Sequence, residues 1–74
     1  MRAYHKSWQD KRPGWRRRVR WFEGRTGDSL SIRLNFCDMD EHRECNRFYV
    51  SREDATDDYE AFIAGATVKS LMAA

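Results

Sequence analysis

Three stretches of the chain carry the pattern of apolar and polar residues that is typical of β-strands. They cover residues 15–23, 29–37 and 45–51, and in the second stretch every other residue is apolar. The stretch 24–28 contains two glycines and predicts a turn, while the polar stretch 38–44 predicts a loop. Because both connections are short, the three strands are expected to pair as an antiparallel meander.

A helix is predicted after the third strand, from about Arg52 to Ala64. Ser51, followed three residues later by Asp54, resembles a capping box at its start, and Gly65 interrupts the helical pattern at its end. A single stripe at helical spacing contains Ala55, Tyr59, Phe62, Ile63 and Ala66. The expected fold class is therefore α+β, a three-stranded antiparallel β-sheet with a C-terminal helix packed on one face (β-β-β-α).

The strand register is predicted by keeping the apolar residues together, because a slip of one residue moves every side chain to the opposite face. This criterion pairs Trp21 with Leu30 in the first hairpin and Leu34 with Phe48 in the second. Phe48 and Val50 then face inward, beneath the helix.

The outer face of the predicted sheet, away from the helix, is rich in arginine. The predicted register places on it Arg16, Arg18, Arg20, Arg33, Arg47 and Tyr49. Arg18 lies directly across from Arg33 in this register, and like charges directly opposite each other destabilise a sheet. We therefore expect a nucleic acid or an acidic protein surface to bind this face; a solvated outer face is the alternative.

Length and charge limit the organisation of the chain. Its 74 residues suffice for one small domain, which we assign to 13–74, preceded by a basic aromatic arm at 1–12. The net charge of +2 hides an asymmetry: 1–25 contains nine basic and two acidic residues, a net of +7, and 38–60 contains nine acidic and three basic, a net of −6. Such a split either presents a charged surface to a partner or is neutralised within the fold.

Neither a membrane span nor a secretory signal is expected. The chain has no run of eighteen apolar residues, and its start, MRAYHKSWQ, has no apolar core. We therefore expect a cytoplasmic protein with no membrane partner.

Cys37, His42 and Cys45 raise the question of a metal site. Their spacing, C-x₄-H-x₂-C, matches no common zinc pattern, and a fourth ligand would have to come from a carboxylate or from His5. The predicted register places the two cysteines opposite each other, where a disulfide is possible but reduced thiols are expected in the cytoplasm. We predict neighbouring free thiols, no metal and no cofactor.

No arrangement typical of an enzyme occurs in the sequence. It contains no serine in a nucleophile-elbow motif and no glycine-rich phosphate loop. We therefore expect a binding protein rather than an enzyme.

The segments GWRRRVRWFEG and RFYVSREDATDDYEAF flank the predicted meander, and together the pattern resembles the amino-terminal arm-binding domains of tyrosine recombinases (phage-type integrases). The resemblance covers about Gly14 to Ala66 and implies DNA binding with the sheet laid into the major groove. The second hairpin, Asp38 to Glu44, is longer than in that family. The 74 residues do not include a recombinase catalytic domain, so the resemblance implies that they form a binding module at most.

The composition is similar in character to that of phage-encoded inhibitors of host machinery, including anti-CRISPR proteins. This resemblance implies a protein–protein inhibitor or adaptor as the alternative function, because Trp, Tyr and Arg dominate interface energetics. Its possible partner anchors are Trp8, Trp15, Val68, Leu71 and Met72. The last three are off the helical stripe, so they either close the core or form an apolar patch for a partner or a second copy. The oligomeric state is left open.

Overall fold

A computed structural model describes residues 3–9 and 16–73, with side chains described for 16–73. Its elements are β1 (Ala3–Gln9), β2 (Arg17–Thr26), β3 (Ser29–Asp38), β4 (Arg43–Tyr49), α1 (Arg52–Ile63) and α2 (Val68–Met72). The strands form one antiparallel sheet in the order β1-β2-β3-β4. The predicted α+β class, an antiparallel sheet followed by a C-terminal helix, is confirmed.

Both described helices pack on one side of the sheet, which we call the inner face. The hydrophobic core lies between these helices and the sheet. It consists of Val19, Trp21, Ile32, Leu34, Phe36, Ala55, Phe62, Val68 and Leu71. The predicted start of α1 is confirmed, since the Ser51 hydroxyl accepts a hydrogen bond from the Asp54 backbone N–H at 3.3 Å. This cap satisfies one of the helix's otherwise unpaired donors.

β1 is a strand that the apolar pattern does not predict, in the segment assigned to the basic aromatic arm. Its backbone pairs with β2 from Ala3 opposite Gly24 to Gln9 opposite Arg18. The sequence AYHKSWQ lacks a regular alternation of apolar residues. An edge strand with one neighbour can form through backbone hydrogen bonds without that pattern.

The register of β2 against β3 differs from the predicted one by four residues. Trp21 lies opposite Leu34, because the chain reverses at Gly27 and Asp28 rather than two residues earlier. Gly27 has a φ of 62°, a conformation that glycine adopts without steric cost. A shift by an even number keeps each side chain on its predicted face, so Val19 and Trp21 remain in the core.

The register of β3 against β4 differs by one residue, and this slip inverts the faces of β4. Leu34 lies opposite Arg47 rather than Phe48. The predicted inward orientation of Phe48 and Val50 is wrong, since these side chains are 75% and 83% exposed. The side chains of β4 on the inner face are therefore those at odd-numbered positions.

The tail after α1 returns to the core, which is one of the two alternatives predicted for it. Val68 and Leu71 of α2 are buried, so they stabilise the fold and are not partner anchors. Met72 is half exposed. Trp15 lies outside the described residues, and so does the side chain of Trp8.

Candidate functional site

The outer face is the side of the sheet opposite both described helices. Alternation along β2, β3 and β4 arranges nine side chains on it in three rows across the strands. The rows are Arg18–Cys37–Glu44, Arg20–Asn35–Asn46 and Phe22–Arg33–Phe48. This face thus carries three of the six residues predicted for an anionic partner: Arg18, Arg20 and Arg33.

Two aromatic rings flank an arginine in the third row. The Arg33 guanidinium carbon lies 4.3 Å from the centroid of the Phe22 ring, a cation–π contact that holds the guanidinium against the sheet. Phe48 lies on the other side of Arg33, with three quarters of its surface exposed. The row therefore presents flat groups to solvent.

Asn35 organises the middle of the outer face. Its side chain is on the outer side yet the residue is only 8% exposed, and its Nδ2 donates to Glu44 Oε2 at 2.9 Å and Asn46 Oδ1 at 3.1 Å. These bonds hold the Glu44 carboxylate at the β4 side of the sheet. They also leave the Asn46 amide nitrogen as a donor that can point to solvent.

Arg18 and Arg20 lie on the β2 side of the same face, about 6.6 Å apart along the strand. Among the described residues, no carboxylate forms an ion pair with either of them or with Arg33. The Nε atom of Arg18 is buried and has no hydrogen-bond partner among the residues that the structure describes. The positive charge on this side of the sheet is therefore not neutralised by the described part of the fold.

Arg16 directly precedes β2 and differs from its neighbours on the outer face. Its Nε lies 3.2 Å from Asp40 Oδ1, and both side chains are well exposed. An exposed pair of this kind contributes little to stability and is screened by salt. Arg16 can therefore exchange this partner for another anion at small cost.

Arg47 and Tyr49 lie on the inner face, and their predicted place on the outer face is wrong. Arg47 donates to the Leu71 carbonyl oxygen, and its Nε lies 3.7 Å from Asp58 Oδ2. The Tyr49 hydroxyl donates to the same carboxylate oxygen at 2.6 Å. Burial, followed by this hydrogen bond and the charge of Asp58, raises the pKa of Tyr49 above its usual value. Both residues tie the sheet to the helices.

The like-charge contact between Arg18 and Arg33 does not occur. Arg18 is opposite Cys37, while Arg33 lies between Phe22 and Phe48. The four-residue difference in register separates the two guanidiniums along the strands. An anionic partner is therefore not needed to relieve that contact, and the case for one depends on the arginines that form no ion pair with a described carboxylate.

The two cysteines do not lie directly opposite each other, as the predicted register placed them. Cys37 is on the outer face, whereas Cys45 lies opposite Phe36 and packs against the core on the inner face. Both thiols are free, and burial is the main cause that raises the pKa of Cys45. Within residues 16–73, no three His, Cys, Asp or Glu side chains come close enough to share a metal ion.

The acidic side chains at the connection between β3 and β4 form hydrogen bonds within the fold. The Asp38 carboxylate accepts hydrogen bonds from the backbone N–H groups of Asp40 and Glu41, at 2.9 and 3.1 Å. Glu41 in turn accepts from the N–H groups of Val68 and Lys69, both at 2.8 Å. A carboxylate at this end of a helix satisfies unpaired donors, so the loop positions α2.

Sequence reasoning did not identify Phe48 or Val50 as exposed, because their apolar character favours the core. The signal that could have corrected this is charge. The predicted register places Asp38 opposite Glu44, whereas the observed one pairs Asp38 with Arg43. Oppositely charged cross-strand pairs are favourable, and like-charged ones are not.

Comparison with protein-family models, with curated proteins and with solved structures finds no match to this chain. The expected resemblance to recombinase arm-binding domains therefore stays a prediction. No helix in the described part of the chain is long and apolar enough to cross a membrane.

Proposed function

We propose that this protein is a non-enzymatic binding module that holds nucleic acid on its outer face. The observation that carries the proposal is the set of three arginines, Arg18, Arg20 and Arg33, on one open side of the sheet without a described carboxylate partner. A polyanion supplies the negative charge that the described residues do not pair with these guanidiniums, and phosphate contacts of this kind dominate the affinity of proteins for nucleic acids.

The distribution of charge supports the same orientation. The exposed side of α1 carries Glu53, Asp54, Asp57 and Glu60, and α1 packs on the inner face. The two sides of the molecule therefore differ in sign. Such a field favours approach of a polyanion with the outer face forward and disfavours the reverse orientation.

Each part of the outer face has a role in this proposal. Arg18 and Arg20 bind phosphates, and the Asn46 amide donates to a phosphate or a base edge. Arg33 and Phe48 present the flat surfaces on which bases can stack. Arg16 adds a further phosphate contact after it leaves Asp40.

A protein–protein inhibitor or adaptor is the second candidate function, and one observation favours it. Phe48, Val50 and Met72 are large exposed apolar side chains, and Phe48 and Met72 border one shallow depression at β4. Exposed apolar residues of this kind mark interaction sites. An acidic protein surface would meet the same arginines.

The proposal is tested by titrating the protein with single-stranded and duplex DNA at two salt concentrations. Arg18→Ala/Arg20→Ala should weaken binding and reduce the salt slope by roughly 1.4 to 1.8, since each lost phosphate contact removes about 0.7 to 0.9. Arg25→Ala/Lys69→Ala is the matched control, because it removes two exposed positive charges that lie off the outer face. It should change the slope much less.

Two outcomes would contradict the proposal. If the wild type binds neither DNA at low salt, the inhibitor or adaptor function takes precedence. If the two double variants lose affinity equally, net charge rather than the outer face controls binding.

A further inference from the structure

Phe48 is a large apolar ring that the fold holds in solvent. We infer that the nucleic acid taken by the outer face is single-stranded, with one of its bases stacked on Phe48. This inference rests on the proposed function and adds the strandedness of the ligand and the residue that selects it.

The exposure of Phe48 follows from its neighbours in β4. Arg47 is held on the inner face by the Leu71 carbonyl and Asp58, and Tyr49 is held there by Asp58. Successive residues of a strand point to opposite sides, so Phe48 must point outward. Its exposure is a fixed feature of the strand, which suits a preformed contact for a ligand.

The row that contains Phe48 continues this surface across the sheet. Arg33 lies beside Phe48 on the adjacent strand, and its guanidinium is already stacked within 4.3 Å of Phe22. Strands lie about 4.8 Å apart, so the three groups span roughly 10 Å. Aromatic rings and guanidinium planes are the groups on which proteins stack unpaired bases.

The cations are placed to hold the backbone of the same strand. Arg20 and Arg18 lie one and two rows away from Phe48, on the far side of Asn35. A base on Phe48 therefore leaves its sugar-phosphate chain free to run toward these arginines. Asn46, in the same row as Arg20 and two residues before Phe48 on β4, offers its amide donor along this path.

A duplex does not fit this arrangement as well. Its bases are stacked on each other, and phosphates form its outer surface, so Phe48 could stack on a base only after that base left the helix. Binding of a duplex would use the arginines and ignore the ring. The response to removal of Phe48 therefore separates the two kinds of ligand.

The test compares labelled oligothymidine with a blunt duplex of the same length by fluorescence anisotropy at low salt. The wild type should bind the single strand more tightly. Phe48→Ala should weaken single-strand binding about tenfold, within the range for one base–aromatic stack, and change duplex binding less than twofold. Phe48→Trp keeps a stacking ring and should retain the affinity.

Ile63→Ala is the matched control, since it removes an exposed apolar side chain from α1 on the opposite side of the molecule. It should bind both ligands as the wild type does. Circular dichroism of each variant checks the fold, which an exposed residue is not expected to alter.

The outcomes distinguish this inference from the proposed function. If the wild type binds neither ligand, both are wrong. If it binds the duplex at least as tightly as the single strand, or if Phe48→Ala leaves single-strand binding unchanged, the single-strand inference is overturned and the outer face remains a nucleic-acid site.

Discussion

The two faces of the sheet use the same residue type in opposite ways. Arg17, on the inner face, donates to Asp38 at 2.7 Å and to the carbonyl oxygens of Phe62 and Ala66 at 2.8 Å. Its guanidinium carbon also lies 3.9 Å from the Phe62 ring centroid. Arg18, one residue later, has no carboxylate partner among the described residues. Position on the strand, not residue type, decides whether an arginine bonds to the helices on the inner face or lies on the outer face.

The same contrast holds for the aromatic residues of β4. Tyr49 lies partly buried on the inner face with its hydroxyl bonded to Asp58, while Phe48 is exposed on the outer face. Arg47 and Tyr49 both have long apolar stems with a polar end, so they can cover the core and still reach polar groups of the helices. Phe48 has no such end to bond.

The largest expected effect comes from the core of the inner face. Leu34 is fully buried, opposite both Trp21 and Arg47. Leu34→Ala should reduce the free energy of unfolding by roughly 2–5 kcal/mol, from lost burial and the cavity left behind. Chemical denaturation measures this, with Ser31→Ala on the exposed side of the same strand as the control. Unchanged stability of Leu34→Ala would show that this side of β3 is not the core.

A smaller effect compares the two adjacent arginines directly. Arg17→Ala leaves the largely buried Asp38 carboxylate and two carbonyl oxygens without their donor, which should cost about 2–3 kcal/mol. Arg18→Ala should cost less, below about 1 kcal/mol, because Arg18 is only partly buried and forms no ion pair with a described carboxylate. Urea denaturation of both variants provides the comparison. Equal losses would mean that Arg18 also supports the fold, which would weaken its proposed role in binding.

Local periodicity was enough to predict much of this architecture. It identified β2, β3, β4 and α1, and it correctly oriented Arg18, Arg20 and Arg33 away from the helix. These features depend on spacing within one segment, so an error in strand pairing by an even number leaves them intact.

Pairing between segments was not predictable from apolar residues alone. The predicted register places Asp38 opposite Glu44, while the observed one brings Asp38 opposite both Arg17 and Arg43. The predicted register of the first hairpin also places Arg18 opposite Arg33, which is a second like-charged pair. Such pairs are therefore evidence against the register itself and not for an anionic partner.

The inward orientation of Arg47 depends on groups that are distant in sequence. Its partners are the Leu71 carbonyl and Asp58, which become neighbours only when α1 and α2 pack on the sheet. The alternation of apolar and polar residues in β4 does not indicate either contact. An apolar pattern therefore favours Phe48 for the core until the helices are in place.

The smallest expected effect is the dependence of stability on alkaline pH through Tyr49. Burial and the hydrogen bond to Asp58 raise the pKa of this hydroxyl in the folded state above its ordinary value of 10.0. Below pH 10 the hydroxyl is protonated in both the folded and the unfolded state, so its contribution is fully present. Above pH 10 the unfolded state loses this proton more readily, so the free energy of unfolding falls as pH rises toward the folded-state pKa.

Tyr49→Phe isolates this contribution, because it removes the titrating hydroxyl and keeps the ring. The variant should be less stable than the wild type at pH 8, and the difference should shrink as pH rises above about 10. Urea denaturation across this range measures the difference. Tyr59→Phe is the control: burial raises the pKa of Tyr59 as well, but the pH dependence due to Tyr49 should persist in it. A constant difference between wild type and Tyr49→Phe would mean that the fold does not raise the pKa of the Tyr49 hydroxyl, which would count against its burial and its hydrogen bond to Asp58 on the inner face.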